Sequence, residues 1–191
     1  MDDGRYRRSS LNKKMKEAVP KKTRSQTTPR HQAPATGRLQ QELQQKTPFA
    51  SIRAEAFLDI LRTADTLQRQ LHAALRPYGT TATQYNALRI LRGAGGQPLT
   101  CSAIGERLVS QDPDITRLLD RLERQGLVRR QRDLRDRRIV LSQITAEGMA
   151  QLKKLDGIVE NAVERMLAHM DTQQLRSLVA LLDQARAPMV G

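Results

Sequence analysis

A switch from helical to strand periodicity between Asp112 and Ile144 constrains the fold more than any other feature of the sequence. Apolar residues first recur at spacings of three and four, and Gly126 follows this run, where a glycine commonly ends a helix. Beyond it, apolar and polar residues alternate in two short segments, which predict strands at Leu127–Arg132 and Arg138–Ile144. Asp and Arg fill the tip between the strands. The segment therefore predicts a helix followed by an exposed β-hairpin, called the wing below.

Five more helices are predicted from apolar residues at helical spacing. They cover about Ala50–Arg76, Thr83–Leu91, Cys101–Leu108, Thr145–Met170 and a final segment after a break near Asp171. Thr100 is expected to cap the third of these, and Asp112 with Pro113 the helix before the wing. Pro77 and Gly79 are expected to end the first helix. The predicted fold class is mainly α with a small β-hairpin wing.

Basic residues are concentrated in two parts of the chain. The whole sequence carries 33 Lys and Arg against 20 Asp and Glu, a formal net charge of +13. Residues 1–47 hold 12 of these basic residues and four acids, with few apolar residues, so we predict a disordered basic tail there. Nine Arg and four acids lie between Arg117 and Arg138. This charge favours an anionic partner such as nucleic acid or an acidic membrane surface.

The sequence argues against several classes of protein. Cys101 is the only cysteine, which excludes an internal disulfide and a cysteine-based metal cluster. The three histidines lack metal-ligand spacing, and no phosphate loop or activated nucleophile is found, so neither an enzyme nor a cofactor is expected. No apolar run approaches the roughly 18 residues of a membrane span, and we expect a cytoplasmic protein. No aromatic residue follows Tyr85, which favours duplex over single-stranded nucleic acid.

Two short helices followed by a charged hairpin form the outline of a winged helix-turn-helix, in which the second helix enters the major groove. The residues within this outline resemble the MarR family of bacterial regulators. The resemblance covers about Ala50–Arg186 and rests on the runs Leu99–Thr100, Ile104–Leu108, Asp114–Arg130, Asp133–Arg138 and Ile144–Gly148. Three residues depart from the commonest family pattern, namely Asp114, Leu134 and Ile144.

The resemblance implies a homodimer held together by N- and C-terminal dimerisation helices, at about residues 50–76 and 146–187 of a domain spanning 48–191. Each copy would present a winged lobe, about residues 83–144, to a pseudo-palindromic operator in double-stranded DNA. Family members usually repress transcription, and many release DNA when a small, often phenolic, ligand or an oxidant changes the spacing of the two lobes. A winged protein-interaction or antirepressor module without specific DNA binding is the alternative function.

Candidate DNA contacts come first from the helix before the wing. Thr116, Arg117 and Arg121 are predicted to contact base edges or phosphates, because Arg can bond guanine in a bidentate manner. A solvated face with ion pairs to Asp114 and Asp120 is the alternative. Asp114 lies near the start of this helix, where it favours the helix dipole and could accept a hydrogen bond from a cytosine amino group.

The wing supplies the other candidate DNA contacts. Arg135 is predicted to enter the minor groove, with Asp133 pairing to it and holding the loop in shape. Arg137 is predicted to contact phosphate, and Arg138 is a further candidate at the same tip. A merely soluble tip is the alternative, which the dense alternation of Asp and Arg disfavours.

A ligand pocket is predicted where the first long helix meets the winged lobe. His72, Arg76, Tyr78 and Tyr85 cluster there in sequence, and their polar and aromatic groups suit a small aromatic effector. Ordinary core packing is the alternative. Cys101, in the first turn of its helix, could act as a redox switch or as a small half-buried filler, since the chain has no second cysteine to resolve an oxidised thiol.

Overall fold

The computed structural model describes residues 38–109 and 114–187, which fall into two units, one ending at Pro48 and the other beginning at Phe49. In the first unit, helix α1 spans Arg38–Glu42, and Arg38 Nε donates to Glu42 Oε1 at 2.8 Å. Such a pair, four residues apart, stabilises a helical turn. Helix α1 departs from the sequence prediction, which places a disordered tail over residues 1–47. Residues 1–37 of the predicted tail lie outside the described residues.

The second unit is mainly helical and carries a small antiparallel sheet, which confirms the predicted fold class. Its helices are α2 (Ile52–Leu75), a short 3-10 helix (Arg76–Tyr78), α3 (Ala82–Gly93), α4 (Cys101–Gly105), α5 (Ile115–Arg124), α6 (Ala146–Leu167) and α7 (Thr172–Arg186). Its strands are β1 (Leu99–Thr100), β2 (Val128–Arg132) and β3 (Val140–Ile144), in the order β1-β3-β2. The two-residue strand β1 is absent from the predicted elements.

Side-chain caps fix most of the helix starts. The Thr100 hydroxyl accepts from the Ala103 N–H at 3.1 Å, which confirms the predicted cap of α4. The predicted cap of α5 by Asp112 is wrong, because the carboxylate of Asp114 caps this helix by accepting from the Arg117 N–H at 3.1 Å. Helix α5 therefore begins at Ile115, while Asp112 and Pro113 lie outside the described residues.

Two glycines in the left-handed region end elements where the sequence predicts it. Gly79 has φ 64° after the short 3-10 helix, and Gly126 has φ 73° after α5. Helix α4 ends at Gly105, earlier than the predicted Leu108, because the following backbone tightens, with the N–H of Arg107 donating to the Ile104 carbonyl at 3.1 Å. An added Cβ at Gly105 would overlap the side chain of Ile115, so α4 and α5 approach each other at this glycine.

Thr145 connects the base of the wing to the start of α6. Its hydroxyl donates to the Gly126 carbonyl at 2.7 Å and accepts from the Gly148 N–H at 3.0 Å, which makes it the N-cap of α6. Its own N–H donates to the Leu127 carbonyl at 3.1 Å. A side chain at Gly148 would collide with that carbonyl, so only glycine allows this close approach.

The hydrophobic core lies where α3, α4, α5, the sheet and α6 meet. Its fully buried side chains include Leu75, Leu88, Leu91, Ile104, Leu119, Leu122, Leu152 and Leu155. Because α5 and the first residues of β2 both pack against this core, the helix and the wing that follows it start from fixed positions. No helix within residues 38–109 and 114–187 is long and apolar enough to cross a membrane.

Only one end of the apolar stripe on α2 is buried. Leu75 is fully buried, whereas Ile52, Phe57 and Leu61 are 73%, 60% and 51% exposed. Helix α7 has no buried residue, and its Leu181 is 63% exposed. Helical periodicity locates the apolar faces of these helices, but the described residues of one chain do not cover them.

Candidate nucleic-acid interface

Helix α5 turns its apolar stripe into the core and its polar side outward. Leu119 and Leu122 are fully buried, while Thr116, Arg117 and Arg121 are exposed on the opposite side. The stripe at positions three and four apart therefore holds the helix in place, and the three candidate contact residues share the accessible face.

Asp114 occupies the start of α5 both as a cap and as an ion-pair partner. Besides accepting from the Arg117 N–H, its Oδ2 lies 2.9 Å from Arg117 Nε. The Arg117 side chain remains 78% exposed, so this surface ion pair is weak and readily exchanged for another anion. The alternative prediction is a solvated face with ion pairs to Asp114 and Asp120. The pair with Asp114 is present, whereas Asp120 pairs with neither Arg117 nor Arg121. The proposed contacts of Asp114 with DNA stay a prediction.

Arg121 presents its guanidinium on the same face. Within residues 38–109 and 114–187, its guanidinium has no hydrogen-bond or ion-pair partner. Thr116, also exposed, lies in the first turn of α5. The contacts of Thr116, Arg117 and Arg121 with DNA remain predictions, for which this face supplies exposed donors.

The wing tip is shaped by Asp133. Its Oδ1 accepts from the N–H of Arg135 at 2.7 Å and from the N–H of Asp136 at 3.0 Å. These two bonds lower the pKa of Asp133 from its ordinary value, and the bond from Asp136 has the larger effect. The Asp133 N–H closes the tip by donating to the Ile139 carbonyl at 3.0 Å. Asp133 thus holds the loop in shape, as predicted, but it does so by binding the backbone N–H of Arg135 and not by pairing with the Arg135 guanidinium.

Three guanidinium groups project from this loop. Arg135, Arg137 and Arg138 are exposed, and within the described parts of the chain none of their side chains has an acid or carbonyl partner. Leu134, at the departure from the commonest family pattern, is 99% exposed. The loop therefore displays cations on a backbone that internal hydrogen bonds keep in shape, while the predicted groove contacts stay untested.

Arg130 belongs to this region and was missed among the candidate residues. It lies on β2, pairs with Asp120 of α5, and donates its N–H to Glu123 Oε1 at 3.2 Å. Its side chain is only 13% exposed. Alternation along the strand places this position on the same face as buried Val128, which is the signal that could have identified it.

A second polar cluster lies between α3 and α6. Tyr85 Oη donates to Asp156 Oδ1 at 2.9 Å, and Arg92 Nη1 donates to Asp156 Oδ2 at 2.5 Å. Arg89 lies over the Tyr85 ring, 5.7 Å from its centroid. Burial and the bond to Asp156 raise the pKa of Tyr85 to about 12, while the Arg92 guanidinium lowers the pKa of Asp156. The cluster is a satisfied, charge-assisted network.

This cluster borders a cavity of about 400 Å³, which is lined by Tyr85, Arg89, Arg92, Asp156, Val159, Glu160, Val163 and Glu164. Of the predicted pocket residues, Tyr85 lines it. His72, Arg76 and Tyr78 are exposed and line neither this cavity nor the groove between α2 and α6. Tyr85, Arg89 and Arg92 share one face of α3 by helical spacing, whereas no sequence signal joins them to Asp156.

Cys101 lies in the first turn of α4, partly buried against the hydrophobic core. This position matches the filler interpretation, and the redox role stays a prediction. Within the described ranges, no three His, Cys, Asp or Glu side chains come together as metal ligands.

The comparisons with known proteins agree on the family of the winged lobe. A profile of the MarR family matches residues 80–140, which include α3, α4, α5 and β2. The chain is 30% identical over 134 residues to the HTH-type transcriptional regulator PecS of Dickeya dadantii, an overlap of 68% of this chain and 79% of PecS.

Solved structures match a larger share of the chain than the family profile does. A MarR transcription factor from Planctomyces limnophilus is 35% identical, with a TM-score of 0.57 over 72% of this chain and 99% of that one. BpsR of Bordetella bronchiseptica, whose DNA binding is regulated by 6-hydroxynicotinic acid, is 18% identical, with a TM-score of 0.63 over 69% and 98%. At 18% identity, the likeness to BpsR shows a shared fold.

Proposed function

The chain belongs to the MarR family, and on that premise we propose that this DNA-binding transcriptional regulator acts as a homodimeric repressor at a specific pseudo-palindromic operator. The observation that carries the proposal is the paired cationic surface of α5 and the wing. Arg121 on the helix and Arg135 on the wing tip are exposed, and their supporting backbones are packed on the core or closed by internal hydrogen bonds. A helix suits the major groove and a cationic loop the minor groove.

Two copies are needed to read two half-sites. The exposed apolar residues on α2 and α7 supply the faces through which the copies would associate, since large exposed apolar patches mark interfaces. A two-fold dimer of winged lobes would contact half-sites about 10 base pairs apart, one turn of the duplex. The operator then mirrors the symmetry of the dimer.

The cavity between α3 and α6 is where we place effector binding. Its volume, about 400 Å³, suits a small aromatic molecule, and Val159 and Val163 give it an apolar part of the wall. Arg89 supplies a cation above the Tyr85 ring for an acidic or phenolic group. A ligand there would act between the winged lobe and α6, and the regulation of BpsR by 6-hydroxynicotinic acid is the precedent for this chemistry.

Selection from a random duplex library tests the function directly. The full chain is incubated with the library and excess non-specific competitor, and the enriched duplex is measured by mobility shift at two salt concentrations. We expect an enriched inverted repeat whose complex survives the competitor. If the library returns no shared sequence and the competitor abolishes every complex, the repressor proposal is wrong and the winged fold serves as a protein-interaction module.

A further inference from the structure

Arg130 occupies an inward-facing position on the wing. Arg130 of β2 is opposite Ser142 of β3, which is fully buried, and Val128 two residues earlier is 2% exposed. Side chains alternate along a strand, so Arg130 points toward α5 while Arg129 points to the other face. There Arg129 Nη2 donates to Gln143 Oε1, its cross-strand neighbour, at 2.6 Å.

The partners of Arg130 are the only two acids of α5. Its Nη1 pairs with Asp120 Oδ1 and lies 3.9 Å from Glu123 Oε2, and its backbone N–H donates to Glu123 Oε1 at 3.2 Å. Arg130 thus connects one strand of the wing to Asp120 and Glu123, which lie three residues apart on the same face of α5. With a side chain 13% exposed, Arg130 is shielded from solvent far more than Arg117, which is 78% exposed.

Two consequences follow for the surface that faces DNA. Asp120 and Glu123 are paired with Arg130 on their β2 side, so their charge opposes phosphate contacts of Arg117 and Arg121 less than unpaired acids would. The helix and the wing are also cross-connected at their midpoints, which fixes the distance between the two DNA-contacting elements. Cross-connection of this kind matters because major-groove and minor-groove contacts must be made at the same time.

We propose that Arg130 is a positioning residue for DNA recognition, which connects α5 to the wing through Asp120 and Glu123 and does not itself contact DNA. The proposal rests on the proposed function, since it concerns how the same interface is held. This role differs from the direct contact with phosphate or bases that is predicted for Arg117, Arg121 and Arg135 in the same segment.

Asp120→Asn separates the two readings because they predict opposite results. If Arg130 contacts phosphate, removing an acid from α5 releases that guanidinium and strengthens binding to any duplex. If Arg130 positions the helix, Asp120→Asn weakens binding to the selected duplex by about tenfold, comparable to the loss of one base contact. Binding to a scrambled duplex of equal length should then change little.

The experiment compares four variants with the parent on the enriched duplex and on its scrambled version, at several salt concentrations. The variants are Asp120→Asn, Arg130→Met, the double exchange Asp120→Arg with Arg130→Asp, and Arg129→Met as the matched control on the other face of β2. Thermal unfolding of each is followed by circular dichroism, and binding is measured well below every transition. We expect Arg130→Met to lose about tenfold in specific affinity with an unchanged salt slope, whereas a lost phosphate contact reduces that slope by about 0.9.

Rescue completes the test. The double exchange restores the ion pair between positions 120 and 130 with reversed polarity and should return the ratio of specific to scrambled affinity toward the parent value. An aspartate at position 130 could not replace a lost phosphate contact. The inference is overturned if Asp120→Asn binds the enriched duplex as tightly as the parent or more tightly, or if Arg130→Met lowers the salt slope. If the parent enriches no duplex at all, it is the repressor proposal that fails. If Arg130→Met does not fold, Asp120→Asn and the double exchange decide the question.

Discussion

Tyr85 of α3 and Asp156 of α6 are joined by a hydrogen bond of 2.9 Å between the phenol and the carboxylate, across 71 residues of sequence. Arg92, two turns after Tyr85, donates to the other oxygen of the same carboxylate at 2.5 Å. The bond connects the first helix of the winged lobe to the long helix that follows the wing. A buried phenol with a charged acceptor is a specific contact, because either group would be an unsatisfied polar group if it stayed buried without the other.

Tyr85→Phe should lower the free energy of unfolding by about 1 kcal/mol at pH 7, since it removes the hydrogen bond at nearly constant volume. The pKa of Tyr85 is about 12 in the folded chain against 10.0 when unperturbed. A raised pKa means that this contribution is fully present below about pH 10 and is lost as the pH rises toward 12. Denaturant unfolding of parent and variant from pH 7 to 11 should therefore give a constant difference that shrinks above pH 10.

Tyr78→Phe is the control for this prediction. Because Tyr78 is 44% exposed, loss of its phenol hydroxyl should change the free energy of unfolding by less than about 0.5 kcal/mol. A Tyr85→Phe variant as stable as the parent at pH 7 would mean that the contact with Asp156 contributes no net stability.

Arg135→Ala should weaken binding to the enriched duplex by about tenfold or more, because it removes the guanidinium predicted to enter the minor groove. The loop itself should keep its shape, since Asp133 holds the backbone N–H groups of Arg135 and Asp136, which alanine retains at position 135. Mobility shift with the parent and the variant measures the effect. Arg53→Ala, an exposed arginine on α2, is the control. Equal binding by Arg135→Ala would contradict the assignment of the wing.

Local chemistry made much of this fold predictable from the sequence. Long apolar periodicities located α2 and α6 within a few residues, and Thr100 and Gly126 marked helix ends because their cap geometries depend on their own residue type. The start of α5 was misplaced because Asp112 and Asp114 are both good caps. Only the backbone path decides between them, and it brings the Asp114 carboxylate to the Arg117 N–H.

Long-range relationships were the part that sequence periodicity could not provide. Nothing in the pattern around Asp156 indicates that Tyr85 and Arg92 bond to it. Arg130 occupies an inward strand position and is not among the predicted contact residues, and only the approach of Asp120 explains why its side chain is just 13% exposed. The short strand β1 has two residues, too few for an alternation to be recognised.

Phe57→Glu should convert the proposed dimer into monomers. Phe57 is 60% exposed on α2 although it belongs to an apolar stripe, and a charge buried in a dimer interface without a partner is strongly unfavourable. Sedimentation equilibrium should give the parent about twice the chain mass of 21.6 kDa and the variant the mass of one chain. Ile139→Glu in the wing, where Ile139 is 39% exposed, should leave the mass unchanged. A parent that sediments as a monomer at micromolar concentration would remove the basis for reading two half-sites.

Deleting residues 1–47 should lower non-specific DNA affinity and flatten its salt dependence while preserving the preference for the enriched duplex. This segment carries 12 Lys and Arg against four acids, and each phosphate that it neutralises adds about 0.9 to the slope of log affinity against log salt. Sequence preference should survive, because the candidate base contacts lie on α5 and the wing, and the second unit begins at Phe49. Affinities for enriched and scrambled duplexes across a salt series give both quantities.

A matched control separates charge from any other contribution of this segment. A full-length chain in which the Lys and Arg of residues 1–47 are replaced by Gln keeps the length and should reproduce the flattened slope of the deletion. If the deletion abolishes the preference for the enriched duplex and the Gln-substituted chain retains it, the segment takes part in specific recognition through groups other than its charges. If both lose the preference, cationic groups before residue 48 read the sequence or shape of the operator, and α5 with the wing is only part of the recognition surface.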